Sequence, residues 1–223
     1  MALFSCLVRR KGDILASLFE GAPGGKKSFL VPDREFRYNT FMQQEAKQGA
    51  RPNLYLVGFM GTGKSTHGRA LAKRLNYQFL DSDHEIEKAE ERPIKKIFAE
   101  EGEAYFRQLE KRFIREGHPK EGCVVSCGGG LVAREGMPET LQERGVVIAL
   151  VASPECILER TSQNPDRPLL HVPNPREKIR ELLAEREPYY RRAGIMVLTD
   201  HRTKREIQEH ILRIFRKKQG EWR

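Results

Sequence analysis

The chain has 223 residues, 39% hydrophobic and 32% charged, with 40 Lys and Arg against 31 Asp and Glu for a formal net charge of +9. That apolar content suits one domain of ordinary size plus an extension, and the longest apolar run, Val146 to Ala152, falls well short of the ~20 residues that a membrane span needs. The four cysteines (Cys6, Cys123, Cys127 and Cys156) form no C-x-x-C pair, so they read as reduced thiols in a cytoplasmic protein, not as a disulfide frame or a zinc site.

Residues 1–50 differ from the rest. Met1 to Val8 is apolar but too short for a secretory core, and Arg9-Arg10-Lys11 follows it instead of preceding it. Ile14, Leu15, Leu18 and Phe19 fit one face of a short helix that the Gly21–Gly25 stretch breaks. Ser28–Val31 and Glu35–Tyr38 flank Pro32-Asp33 as a weak hairpin pattern. Asp13, Glu20, Asp33 and Glu35 argue against an organellar targeting peptide. The stretch reads as an N-terminal extension to which the sequence assigns no role.

The main domain, residues 51–223, opens with the apolar run Asn53–Val57, which predicts a strand. Gly58-Phe59-Met60-Gly61-Thr62-Gly63-Lys64-Ser65 follows, with Leu71 and Leu75 on one face of a helix beyond it. Strand, glycine-rich loop and helix in that order form a phosphate-binding loop. Its glycines let backbone N–H groups turn inward around a phosphate, and the helix adds its positive end. Lys64 reaches the β/γ-phosphates and Ser65 offers a hydroxyl to Mg²⁺.

Tyr77–Asp81 predicts a second strand, and His84 to Glu91 a helix. Pro93 opens another helix carrying Ile94, Ile97 and Phe98, and a third begins near Glu103 with Phe106, Leu109 and Phe113. Cys123–Ser126 is a buried strand running into Gly128-Gly129-Gly130. A helix over Pro138 to Arg144 leads to strand Val146–Val151. Ser153-Pro154 starts the helix of residues 154–162. Residues 163–175 are proline-rich and polar and read as a mobile lid. A charged helix over Arg176–Arg192, the strand Ile195–Leu198 and a helix opened by the capping box Thr203–Glu206 complete the chain. Strands alternating with helices imply a five-stranded parallel sheet with helices on both faces, a three-layer α/β/α fold, with ligands at the carboxyl ends of the strands.

The polar clusters fall at those ends. Asp81 and Asp83 suit metal-bound water and an acceptor hydroxyl, or helix capping. Many phosphate-loop proteins carry an aspartate after a buried strand to place Mg²⁺. Here Val124-Val125 runs into Ser126 and Cys127 with no acid, which leaves Asp81 as the nearest candidate. The triple glycine bares backbone N–H groups for a hydroxylated or anionic ligand. Arg107 and Glu110, taken alone, read as a surface ion pair at i, i+3. Arg167 lies in the lid, where a cation fits phosphoryl transfer, and Arg186 ends a helix. The basic stretch Arg213–Lys218 reads as a solvated helix end and not as a nucleic-acid surface.

Together these motifs resemble the shikimate kinase family over roughly residues 52–205: the phosphate loop, Asp81 with Asp83, Phe106–Glu110, Gly128–Gly130, Arg167–Leu170 and Arg186–Tyr190. The resemblance implies transfer of a phosphoryl group from ATP to the 3-hydroxyl of shikimate, with Mg²⁺, in a cytoplasmic monomer that has no membrane or nucleic-acid partner. It implies that Gly61, Thr62, Gly63, Lys64, Ser65 and Thr66 bind the phosphates and that Ser65 holds Mg²⁺, with Asp81 acting through water. It also implies that Asp83 contacts and orients or deprotonates the acceptor hydroxyl. Arg107 and Arg186 grip the carboxylate, with Glu110 holding Arg107. Gly128, Gly129 and Gly130 line the acceptor pocket, Arg167 closes with the lid, and Arg160 borders the adenine. Rival readings are a kinase for gluconate or an amino-shikimate, and a nucleotide-gated regulatory protein. The Ala193-Gly194 pair departs from the Ala-Asp often found in the family.

Overall fold

The structure is a computed structural model that describes residues 51–162 and 172–222. The extension of residues 1–50, most of the expected lid and Arg167 lie outside the described residues.

Five strands, β1 (Asn53–Gly58), β2 (Gln78–Asp81), β3 (Cys123–Ser126), β4 (Gly145–Val151) and β5 (Ile195–Leu198), form one sheet in the order β2-β3-β1-β4-β5. Every pairing is parallel. The helices are α1 (Lys64–Leu75), α2 (Ser82–Glu90), α3 (Ile94–Glu116), α4 (Met137–Arg144), α5 (Pro154–Thr161), α6 (Pro175–Ala193) and α7 (Lys204–Glu221). Side chains of a strand point alternately to the two faces of a sheet, and β1 sorts its residues accordingly. Tyr55 and Val57 enter a core with α2, α3, α4 and α6, whereas Leu54 and Leu56 enter one with α1 and α7. The expected three layers follow from this division.

Boundaries move by a residue or two at most elements, and three local features carry physical reasons. The two helices expected on either side of residue 102 are both present within α3, joined by a kink at Gly102, whose φ of 80° is natural to glycine. The predicted capping box at Thr203 and Glu206 forms in both directions. At Gly194 a Cβ would lie 2.1 Å from the carbonyl oxygen of Val147, so this chain has no room for the family's aspartate without a shift of the strand.

Residue registers align the strand ends. Asp81 pairs with Ser126 across β2 and β3, and Gly58 pairs with Leu150 across β1 and β4. Gly58 is held at φ 136° with the Leu150 carbonyl oxygen only 2.2 Å from where a Cβ would be, so a side chain there collides with backbone. This close approach fixes where the glycine-rich loop leaves the sheet. Among the described residues, no helix is long and apolar enough to cross a membrane. Cys123, Cys127 and Cys156 are free thiols, the first two buried.

Candidate active site

The loop after β1 turns through Gly61 and Gly63, both with positive φ, before α1 begins at Lys64. Lys64 Nζ donates to the carbonyl oxygens of Gly58 at 2.9 Å and Phe59 at 3.0 Å, so the ammonium lies over the loop. Thr62 is buried, and its hydroxyl donates to the Phe59 carbonyl at 2.8 Å. Its side chain therefore pins the loop, leaving only backbone for a phosphate. Thr66 is exposed on the first turn of α1. Arg160 of α5 donates to Thr199 Oγ1 at 2.9 Å and to the Thr199 carbonyl at 3.0 Å, with a longer 3.5 Å approach to the Gly61 carbonyl. It ties the loop to the end of β5.

The acidic pair sits where β2 becomes α2. Asp81 occupies the N-cap position but makes no side-chain cap. Ser65 Oγ instead donates to Asp81 Oδ2 at 2.7 Å, and Ser65 Oγ also lies 3.1 Å from Ser126 Oγ. The capping alternative for Asp81 is thereby displaced by a contact with the loop serine. Sequence reasoning missed Ser126. Its signal is its place as last residue of β3, where other phosphate-loop proteins carry an acid and this chain carries a hydroxyl. Ser82 was missed as well: fully buried, its Oγ accepts from the Gly128 N–H at 2.8 Å and donates to Asp83 Oδ1 at 3.3 Å.

The triple glycine brings the rest together. A Cβ on Gly128 would lie 2.4 Å from Asp83 Oδ1 and 3.2 Å from Glu110 Oε1, so only a glycine lets those carboxyl groups approach the turn. The Gly129 carbonyl accepts from Arg186 Nη1 at 3.1 Å and from the Tyr190 hydroxyl at 3.3 Å. At Gly130 a Cβ would touch both Nη1 and Nη2 of Arg107 at 3.4 Å. Three consecutive residues thus meet Asp83 from α2, Arg186 from α6 and Arg107 from α3.

Arg107 and Glu110 are not the surface pair that their spacing alone suggested. Arg107 Nη1 donates to Glu110 Oε2 at 2.7 Å, and the Glu110 side chain is only 3% exposed. The reason is tertiary: this face of α3 lies against the glycine turn. Arg186 also has an aromatic floor, its guanidinium carbon 5.4 Å from the centre of the Phe59 ring.

Burial disfavours charge on both central carboxyl groups. Asp83 is shifted up by burial and then by the neighbouring Asp81 charge, while Lys64 pulls it back. Glu110 is pushed up to about 7 by burial, against the opposing pull of Arg107. Cys127, behind the turn, is held as a neutral thiol by burial.

The phosphate loop and a glycine turn that gathers Asp83, Arg107 and Arg186 share one surface at the carboxyl ends of β1, β2 and β3, and that arrangement defines the class: a P-loop kinase for small molecules. Comparison with known proteins narrows it. The family model described as shikimate kinase matches residues 60–216. A shikimate kinase from Sulfurihydrogenibium sp. is 46% identical over 160 residues, covering 72% of this chain and 95% of that protein. One from Caldanaerobacter subterraneus subsp. tengcongensis is 41% identical over 168 residues, covering 75% of this chain and 98% of that protein. Among solved structures, shikimate kinase from Acinetobacter baumannii in complex with shikimate is 40% identical with a TM-score of 0.70, covering 75% of this chain and 94% of that one. The chain belongs to the shikimate kinase family.

Proposed function

We propose that this chain transfers the γ-phosphoryl group of ATP to the 3-hydroxyl of shikimate, giving ADP and shikimate 3-phosphate. Family membership supports the activity. The single structural observation that carries it is the convergence of Asp83, Arg107 and Arg186 on Gly128–Gly130, beside the Lys64 loop.

Phosphoryl transfer asks a protein mainly for positioning and for cations where charge accumulates. In this reading the amides of Gly61–Thr66 and Lys64 hold the phosphates, Lys64 leaving the Gly58 and Phe59 carbonyls to do so. Ser65 and Asp81, already 2.7 Å apart, would hold Mg²⁺, Ser65 directly and Asp81 through water. The ion would neutralise phosphate charge when bound. A hydroxyl and a carboxylate are the hard oxygen donors that Mg²⁺ prefers.

On the acceptor side, Arg107 and Arg186 present planar forks suited to a carboxylate. Asp83 faces the hydroxyls. Its upward shift brings its pKa nearer the range useful to a group that accepts a proton as the hydroxyl attacks. Arg160 borders the adenine, and Arg167 is assigned to the lid on sequence alone. A cytoplasmic monomer is part of the proposal, on the resemblance alone.

The test is coupled ADP release from ATP and Mg²⁺ across a panel of small hydroxy acids. Shikimate should be turned over in preference to gluconate, and Asp83→Asn should abolish turnover while ATP binding persists. Turnover of gluconate alone, or an active Asp83→Asn enzyme, would contradict the assignment.

A further inference from the structure

The hydrogen bonds of Arg107 show more than its pairing with Glu110. Arg107 Nε and Nη2 donate to one oxygen of Glu103, at 3.1 and 3.0 Å, while Nη1 donates to Glu110 at 2.7 Å. A guanidinium has five N–H groups in a fixed plane. Two are taken on the Nε side by Glu103 and one on Nη1 by Glu110. One N–H on each Nη remains, and Gly130 packs against the group, its Cβ position 3.4 Å from both Nη atoms and 3.6 Å from the carbon between them. Two carboxylates thus fix the orientation of the guanidinium beside the glycine turn.

The same Glu103 oxygen accepts from Arg134, four residues past Gly130. A chain of alternating charge, Arg134 to Glu103 to Arg107 to Glu110, therefore joins the segment after the glycine turn to α3. Glu103 stands directly after the Gly102 break in α3, at the start of its second helical part. Phe106 and Phe98 lie under the Arg107 guanidinium, at 5.4 and 6.0 Å, and leave its edges as the directional contacts.

We propose that Glu103 is a positioning residue for acceptor binding. It holds the Arg107 guanidinium in place beside the glycine turn for the acceptor carboxylate, and Arg134 keeps Glu103 in place. The inference rests on the proposed function, because it needs an acceptor that carries a carboxylate. Glu103 itself touches no acceptor and acts through Arg107. The pair is half exposed to solvent, so its effect is modest and falls on binding.

The experiment is steady-state kinetics of the full chain with shikimate and ATP varied separately. Glu103→Ala should raise the KM for shikimate about two- to fivefold, the range of a partly exposed ion pair. The KM for ATP and kcat should move less than about twofold. Glu103→Gln, which keeps one acceptor oxygen at the same reach, should fall between. Glu209→Ala breaks a pair of the same i, i+4 spacing with Arg205 on α7 and should change neither KM. In an Arg107→Lys background, which lacks the fork, Glu103→Ala should add nothing further.

An unchanged shikimate KM in Glu103→Ala, or the same increase in the Arg107→Lys background, overturns the positioning role. A lower KM overturns it too, since Glu103 would then compete with the acceptor. Wild-type chain that does not turn over shikimate contradicts the parent reading instead, so the two failures are distinguishable.

Discussion

Ser65 Oγ donates to Asp81 Oδ2 at 2.7 Å, joining residues 16 positions apart across the phosphate loop and the end of β2. With Ser126 Oγ 3.1 Å from the same hydroxyl, the loop serine faces one carboxylate and one hydroxyl where other phosphate-loop proteins place an acid after the strand. Asp81 is thus the carboxylate available to a cation at Ser65. Asp81→Asn should raise the Mg²⁺ concentration for half-maximal turnover by about tenfold or more, the usual cost of losing an outer ligand. Titrating Mg²⁺ in the ADP-release assay checks this; a titration curve superposable on wild type would remove Asp81 from the metal site.

Gly128 is a steric requirement of the turn that meets Asp83 and Glu110. A methyl group there would sit 2.4 Å from Asp83 Oδ1 and 3.2 Å from Glu110 Oε1, and both side chains would have to move. Displacements of about 1 Å at a reacting group cost on the order of 100-fold. Gly128→Ala should lower kcat/KM for shikimate by about that factor while ATP binding, followed by isothermal titration, stays near wild type.

Activity should fall as pH drops through neutrality, well above the ordinary carboxylate range. Burial pushes Glu110 up to about 7, so acid neutralises the group that holds Arg107 well before ordinary carboxylates, and burial shifts Asp83 in the same direction. A pH profile of kcat/KM for shikimate should show an ascending limb near neutrality. Glu110→Gln should flatten the upper part of that limb; a limb confined to the region below pH 5 in wild type would contradict the role of Glu110.

At the opposite end of the sheet, His118 is buried among Tyr55, Phe113 and Pro119, with Nε2 3.2 Å from the Tyr55 hydroxyl. Burial lowers its pKa from 6.5 to about 4. The sign is direct: below pH 6.5 the unfolded chain takes up a proton that the folded chain refuses, so stability is lost as pH falls from 6.5 toward 4. From pH 7 to pH 5 the loss is roughly 2 kcal/mol. Urea unfolding of wild type and His118→Phe at the two pH values tests it, with a smaller difference expected for the variant whatever its absolute stability.

The chain alone determined the order of elements, the phosphate loop and the parallel three-layer sheet. Those features depend on local signals: an apolar run of Asn53–Val57, glycines at fixed offsets before Lys64, and a capping box at Thr203 that forms as its spacing predicts. The family resemblance rested on short motifs in order, and the comparisons bear it out. Tertiary structure alone decided which side chains meet. Arg107 and Glu110 look like a surface pair at i, i+3 until the glycine turn covers Glu110. Ser82 and Ser126 carry no sequence mark, because what distinguishes them is a register that sets Asp81 beside Ser126 and a hydrogen bond spanning 46 residues to Gly128. Helix periods and turns are written in neighbouring residues. Burial and hydrogen-bond partners depend on chain segments far apart in sequence, and only the assembled sheet brings those segments together.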